Sequence, residues 1–387
     1  MGVEEPISID EVLTDGYYVE EGDCRETLPY LPEASVDAVV TDPPYGLSDE
    51  PDISRLLSTW LAGEEYQHNS KKGFCGAEWD RFVPGPIYWK SIYRLLKPGG
   101  HLLCFAGTRT WDLMSLALRL AGFENRNTLA QMIGPSAMAW MYSQGMGRSH
   151  MLKPTFEPIL VFRKPLDRGN SIQRQMEQSQ TGTLNFSSCM LPRDPEDRSG
   201  WHETGADGTE GFGEGKSFKI RAMSADEIKK RCGAARFPPN SLIVGEEMLQ
   251  AIGLMAGNDP AKFFPVFYCP KPSRNEKEAG CEEAGLPMRI LKRMNDGGLS
   301  REKRWAPIEV RNNHETVKPI KLCEWLLRLA CPNPSGVILD PFCGSGSVGC
   351  AARKQGFRFI GCELRSDYAA IARARIRYWD VKRQCGS

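Results

Sequence analysis

Val337-Ile-Leu-Asp340-Pro341-Phe342-Cys343-Gly344-Ser345-Gly346-Ser347 runs from an apolar strand through an acid into a glycine turn that opens a helix. Glycine lets the backbone approach a ligand closely, as in the first turn of nucleotide-binding βαβ units. The next strand, Phe359-Ile-Gly-Cys-Glu363, ends in a carboxylate placed to hydrogen-bond ribose hydroxyls. A bare Gly-x-Gly is often only a structural turn. Strand, Asp, Gly-x-Gly, helix, strand and Glu in register favour a nucleotide-like ligand. An acid directly before the glycines repels phosphate, so the ligand expected is one bearing ammonium and sulfonium charges: S-adenosylmethionine rather than NAD.

Towards the other end, Val39-Val-Thr-Asp42-Pro43-Pro44-Tyr45-Gly46 places Asp-Pro-Pro-Tyr just past a second buried strand. Two prolines fix φ and remove two donors, which holds the Asp42 carboxylate and the Pro43 carbonyl as a rigid pair of acceptors. With the Tyr45 ring beside them, these acceptors suit an exocyclic amino group on a planar base. A proline-rich turn with an incidental tyrosine is the plainer alternative.

Residues 1–165 alternate strand and helix patterns: strands at Tyr17–Glu20, Val36–Thr41, His101–Ala106, Thr128–Ile133 and Pro158–Phe162, and helices at Ile87–Leu96 and Trp111–Leu120. This order predicts a parallel sheet covered on both faces. Residues 166–311 change texture. Arg168 to Lys219 is rich in Gly, Ser, Gln and charge and reads as loop, with short ordered pieces at Phe237–Val244 and Phe263–Tyr268. Regular order returns over 312–387, with helices at Pro319–Ala330, from Ser347 and at Tyr368–Trp379, and strands at Val337–Leu339 and Arg358–Glu363.

The chain has 387 residues, 41% hydrophobic and 25% charged, which is ordinary globular usage for two or three units. No apolar run reaches the roughly 20 residues of a membrane span, and the acidic N-terminus lacks a secretory pattern, so a soluble cytoplasmic protein is expected. Thirteen cysteines without a C-x-x-C pair suggest reduced thiols, with no metal site. Net charge is zero, yet residues 1–50 hold fourteen acids and one base, Arg25, a net of −13 that leaves +13 on the remainder. Residues 353–383 alone carry nine Lys or Arg, which permits phosphate binding but is equally compatible with a solvated helix face.

Together, TDPPYG, a variable insert, His314-Glu-Thr316-Val-Lys318-Pro319, LDPFCGSG and FIGCEL resemble the amino-methyltransferases of DNA in their beta-type circular order. EEGD, LKPGGHLLCFAGTRTW and KPTFEPILVFRKP are similar to the family's connecting motifs, so the resemblance covers nearly the whole chain outside the insert. It implies an α/β, Rossmann-like methyltransferase sheet flanked by helices, circularly permuted, with a loop-rich target-recognition insert. Residues 1–165 would be the catalytic half, 166–311 the insert and 312–387 the cofactor half. The activity implied is transfer of a methyl group from S-adenosylmethionine to the N6 amino group of adenine in duplex DNA. N4 of cytosine is the nearest alternative; Asp in the first motif position is commoner in the adenine enzymes and Ser in the cytosine ones. A catalytically silent DNA-binding protein and an NAD oxidoreductase are rivals of other classes.

The resemblance assigns Asp42, Pro43, Pro44 and Tyr45 to the target base. Asp340, Pro341, Phe342, Gly344, Ser345 and Gly346 would line the methionine end of the cofactor. Glu363 and Leu364 would meet its ribose, and Asp23 and Cys24 its adenine. His314, Thr316, Lys318 and Pro319 match the motif before the cofactor strand, where Glu315 replaces the usual proline and removes a fixed φ. Asp23 as a turn cap and Lys318 as a solvated charge remain the bland readings. Double-stranded DNA is the partner implied, a homodimer is consistent with the family, and either a stand-alone modifier or the methylating partner of a restriction enzyme fits.

Overall fold

The computed structural model describes residues 8–47, 49–69, 80–133, 155–192, 235–256, 259–268, 271–294 and 305–385. In chain order its strands are β1 (Tyr17–Glu21), β2 (Val36–Thr41), β3 (Leu96–Phe105), β4 (Glu124–Ile133), β5 (Phe156–Arg163), β6 (Leu191–Pro192), β7 (Ala235–Arg236), β8 (Ser241–Val244), β9 (Val266–Phe267), β10 (Arg289–Met294), β11 (Trp305–Val310), β12 (Val337–Asp340) and β13 (Arg358–Glu363). Nine of them form one sheet in the order β1-β13-β12-β2-β3-β5-β4-β8-β9.

Both faces are covered, which is why β2 and β12 read as apolar runs rather than alternations. Ala38, Val40 and Ile338 pack on one side with Trp325, Leu326, Val348 and Ala369 of the helices Ile320–Ala330, Ser347–Gln355 and Ser366–Gln384. Val36, Val39, Val337 and Leu339 pack on the other with Trp89, Ile92, Leu113 and Met114 of Pro86–Leu95 and Trp111–Leu120. Each fully buried large aliphatic contributes about 1.5–3 kcal/mol.

The strands β1, β13, β12, β2 and β3 are parallel, as expected, but the sheet as a whole is mixed. β5 slots between β3 and β4, antiparallel to both. Burial accounts for the placement: Pro158 to Arg163 of β5 are all buried, whereas β4 carries partly or fully exposed residues from Glu124 to Thr128. The more apolar strand takes the interior position, and a run of apolar residues carries no information about strand direction. Two strands within 166–311 also join this sheet, β8 pairing with β4 and β9 with β8.

The stretch read as loop after Arg168 contains a helix, Ile172–Ser179, capped by Ser171. It lacks an apolar stripe. Its buried residue is Gln175, whose amide accepts from Asp167 N at 3.1 Å and donates to Pro98 O at 3.2 Å. The glycine-rich run 205–216 lies outside the described residues. None of the described cysteines forms a disulfide, and no helix among the described residues is long and apolar enough to cross a membrane.

At the N-terminal ends of the central strands, buried Asp37 accepts from Val337 N and Lys97 Nζ, both at 2.8 Å, and from Asn333 Nδ2 at 3.2 Å. It ties β2, β3 and β12 together. Asp37→Ala should lower unfolding stability by about 2–3 kcal/mol, because it orphans a buried N–H and a lysine. Denaturant midpoints measure this, and an unchanged midpoint would show that the tie contributes nothing.

Candidate active site

β12 and β2 are adjacent and parallel, with Leu339 opposite Val39, so the turns that follow them emerge side by side. Chain order departs outward in both directions from this pair, to β13 on one side and β3 on the other. Open α/β sheets place ligands at such a switch point, beyond the carboxyl ends of the strands. A cleft of about 480 Å³ lies there.

One part of its floor is the glycine turn. Gly344 (φ +53°) and Gly346 (φ +81°) are left-handed, and a Cβ on Gly344 would stand 2.6 Å from His314 Nε2. Gly344 N donates to Glu363 Oε2 at 2.8 Å and Arg365 N to Glu363 Oε1 at 2.9 Å, which fixes the carboxylate at the rim of the cleft. Burial raises Glu363 against these amide bonds. His314 is packed against Tyr368, with ring centroids 4.5 Å apart, and burial keeps it neutral, down to about 3. Its loop lacks the usual proline, but Asn312 Oδ1 accepts from His314 N and His314 Nδ1 from Thr316 N.

Asp340 is 2% exposed. Its Oδ1 accepts from Thr41 Oγ1 at 2.7 Å and from Phe342 N at 3.2 Å, and among the described residues no cation pairs with it. Burial pushes its carboxyl up to about 7. At the far end of the cleft Asp23 caps a helical turn through Arg25 N. The Arg25 side chain also bonds the Asp23 carboxylate, which lowers its pKa, and lies 4.5 Å over the Tyr88 ring. Phe342 packs against Tyr88 and Trp89.

After β2, Asp80 Oδ1 accepts from Tyr45 N at 2.7 Å and Gly46 N at 3.0 Å, while Thr110 Oγ1 donates to Tyr45 O, so the Asp-Pro-Pro-Tyr turn is held from outside its motif. Tyr45 Oη lies 2.8 Å from Asp42 Oδ1 and 2.5 Å from Glu157 Oε1. Lys318 Nζ lies 2.9 Å from Glu157 Oε1, 3.0 Å from Tyr45 Oη and 3.3 Å from Asp42 Oδ2. Burial pushes the Asp42 carboxyl up to about 6, with Lys318 opposing and Glu157 adding to the rise. Burial opposes the Lys318 charge, but Asp42 and Glu157 outweigh it and raise its pKa.

Of the residues singled out in the sequence, Asp42 and Pro44 line the cleft together with Asp23, Cys24, His314, Thr316 and Lys318. Asp340, Pro341, Phe342, Gly344, Ser345, Glu363 and Leu364 line it too. Pro43, Tyr45, Pro319 and Gly346 adjoin lining residues in sequence without belonging to the lining themselves. Lys318 sits with Asp42 rather than with the glycine turn. Thr41, Thr110 and Glu157 lie within the motifs and Asp80 outside them, but the sequence gives none of the four a role, because their partners lie far along the chain.

The sequence model of the N6/N4 amino-methyltransferases, described as DNA methylase, matches residues 36–374. The chain belongs to this family. Its motif order, with the Asp-Pro-Pro-Tyr strand before the glycine turn, is that of the beta class. Among curated relatives, type II methyltransferase M2.DpnII of Streptococcus pneumoniae is 35% identical over 97 residues, 22% of this chain and 34% of that protein. DNA adenine methyltransferase YhdJ of Escherichia coli K12 is 41% identical over 64 residues, 16% of this chain and 21% of that protein. The aligned stretches thus span a fifth to a third of these relatives. Among solved structures, PvuII DNA methyltransferase (cytosine-N4-specific) aligns over 96% of this chain and 93% of its own, at 14% identity and a TM-score of 0.48. The M1.HpyAVI–SAM complex aligns over 93% and 98%, at 14% identity and 0.41.

The methylases of this family take S-adenosylmethionine, and the cleft fits it. A buried carboxylate without a cation, a glycine turn too tight for a Cβ and an acid at the rim match a ligand with cationic and ribose parts. The unpaired Asp340 also makes a test. Its folded-state pKa, about 7, lies above the ordinary 3.8, so stability present at low pH is lost as pH rises through that window. Asp340→Asn cannot titrate. Its unfolding free energy relative to wild type should therefore rise between about pH 5 and about pH 8, by on the order of 1–2 kcal/mol, while S-adenosylmethionine binds at least about 10-fold more weakly. A difference independent of pH would contradict the unpaired carboxylate.

Proposed function

We propose that this chain methylates the exocyclic N6 amino group of adenine in duplex DNA, at a specific sequence, using S-adenosylmethionine. The observation that carries the reading is the placement of Asp42 and Asp340 at the ends of neighbouring strands, opening on one cleft. Asp340, Gly344 and Ser345 would hold the methionine part of the cofactor, Glu363 and Leu364 the ribose, and Asp23, with Cys24 beside it, the adenine end. When bound, the cofactor supplies a methyl group activated on sulfonium.

A base inside a duplex cannot reach this cleft, so it is flipped out, losing a few kcal/mol of stacking and pairing that pocket contacts offset. The Asp42 carboxylate and the Pro43 carbonyl accept the two N–H protons of its amino group, and the Tyr45 ring covers the base. Conjugation makes such an amine a weak nucleophile. Binding both protons localises the lone pair and aims it, so positioning and electrostatics lower the barrier without a covalent intermediate on the protein. Two carboxylates, Asp42 and Glu157, share one ammonium, Lys318, and the surplus negative charge faces the nitrogen as it becomes positive. Asp in the first motif position is what favours adenine over N4 of cytosine. The +13 remainder of the chain is suited to phosphate, and 166–311 is the region proposed to read the target sequence.

With labelled donor and mixed duplex DNA, the wild-type protein should yield labelled N6-methyladenine. Asp42→Ala should lose at least about 100-fold in transfer while S-adenosylmethionine still binds, measured by calorimetry. Transfer at the wild-type rate in the variant would remove Asp42 from the reaction.

A further inference from the structure

We propose that Glu157 and Lys318 act as a positioning pair that holds the Asp42 carboxylate and the Tyr45 ring in place beside the cleft. The purpose of the pair rests on the amino-methyltransferase reading; its geometry does not. Glu157 lies at the start of β5, and because β5 runs antiparallel to β3 its first residues reach the edge where the parallel strands end. The inverted strand therefore delivers an acid to the site of Asp42.

The contacts make a closed figure. A phenol has one proton and two lone pairs, so Tyr45 Oη donates to one carboxylate, Asp42 at 2.8 Å or Glu157 at 2.5 Å, and accepts from Lys318 Nζ at 3.0 Å. Lys318 also bonds both acids, and its side chain is 14% exposed against 20% for Asp42 and 21% for Glu157. Its ammonium lies 4.5 Å from the centre of the Phe105 ring, which shields it from water. Rotation of Tyr45 would break the bond it donates and the one it accepts in a site of low dielectric, so the ring is held before a base arrives.

The same figure sets charge. Lys318 lowers the Asp42 pKa and Glu157 raises it, so the two neighbours pull in opposite directions. The other ionisable groups around Asp42 are Asp340 on β12, Cys104 on β3 and Cys323 on the helix Ile320–Ala330, and burial keeps both thiols protonated. Tyr45 stays protonated as well, through burial and the acids beside it. His314, which lines the same cleft, is neutral through burial.

Carbon-13 NMR titration of carboxyl-labelled aspartate in the full chain, without methyl donor or DNA, reads the pair directly. Asp42→Asn identifies the signal, expected to titrate near about 6. Lys318→Met should move the midpoint up by about one pH unit and Glu157→Gln down by about one, while Lys318→Arg returns it to within about half a unit of wild type. The acid limb of single-turnover methyl transfer should follow each shift. Loss of packing alone does not move a midpoint in opposite directions. If Lys318→Met does not fold, the isosteric Glu157→Gln decides: an unmoved or raised midpoint overturns the pair. Opposite shifts without transfer to DNA support the pair and contradict the nucleic-acid substrate.

Discussion

Two acids emerging from adjacent parallel strands set the terms for the rest of this molecule. Asp42 follows β2, and Asp340 ends β12. The Thr41 hydroxyl, 2.7 Å from Asp340, bridges the two strand ends. Like charges so near one another in a buried setting are unfavourable, and the two sites answer the cost differently. Asp42 receives Lys318. Asp340 receives the Thr41 hydroxyl and the Phe342 amide and, among the described residues, no cation. One carboxylate is thus paired with an ammonium of the protein, and for the other the described residues supply none.

The scaffold follows from that arrangement. Apolar residues on both faces of β2 and β12 bury the strands within a double layer of helices, and Asp37 ties their opposite ends to β3. The glycine turn brings backbone against His314 and lets the amide of Gly344 hold Glu363 at the rim. Asp80 and Thr110 hold the Asp-Pro-Pro-Tyr turn by its backbone, which leaves its side chains for chemistry. Electrostatic catalysis depends on groups fixed in advance, and each acid here is fixed through contacts outside its own motif.

Much of this was legible in the chain because the decisive segments carry a strong local signal. Val36–Thr41, Trp111–Leu120 and Arg358–Glu363 form the elements their patterns predict, residue for residue. The cofactor turn and the Asp-Pro-Pro-Tyr turn come to one cleft as their neighbouring strands require. Direction and partnership were not legible. The apolar run of β5 carries no mark of direction, so its antiparallel course, and with it the arrival of Glu157, depends on long-range pairing. The helix Ile172–Ser179 escaped because a buried glutamine rather than an apolar stripe anchors it. Lys318 reads as part of the cofactor motif by its neighbours in sequence, yet its ammonium lies with Asp42.

The central claim is that these two acids bring an activated methyl group and a flipped adenine to one point. Single-molecule sequencing of DNA from cells producing the protein reports base, atom and sequence context together. N6-methyladenine recurring at one sequence with the wild-type chain, and absent with Asp42→Ala, is the result expected. Unmodified DNA from cells producing folded wild-type protein would contradict the account.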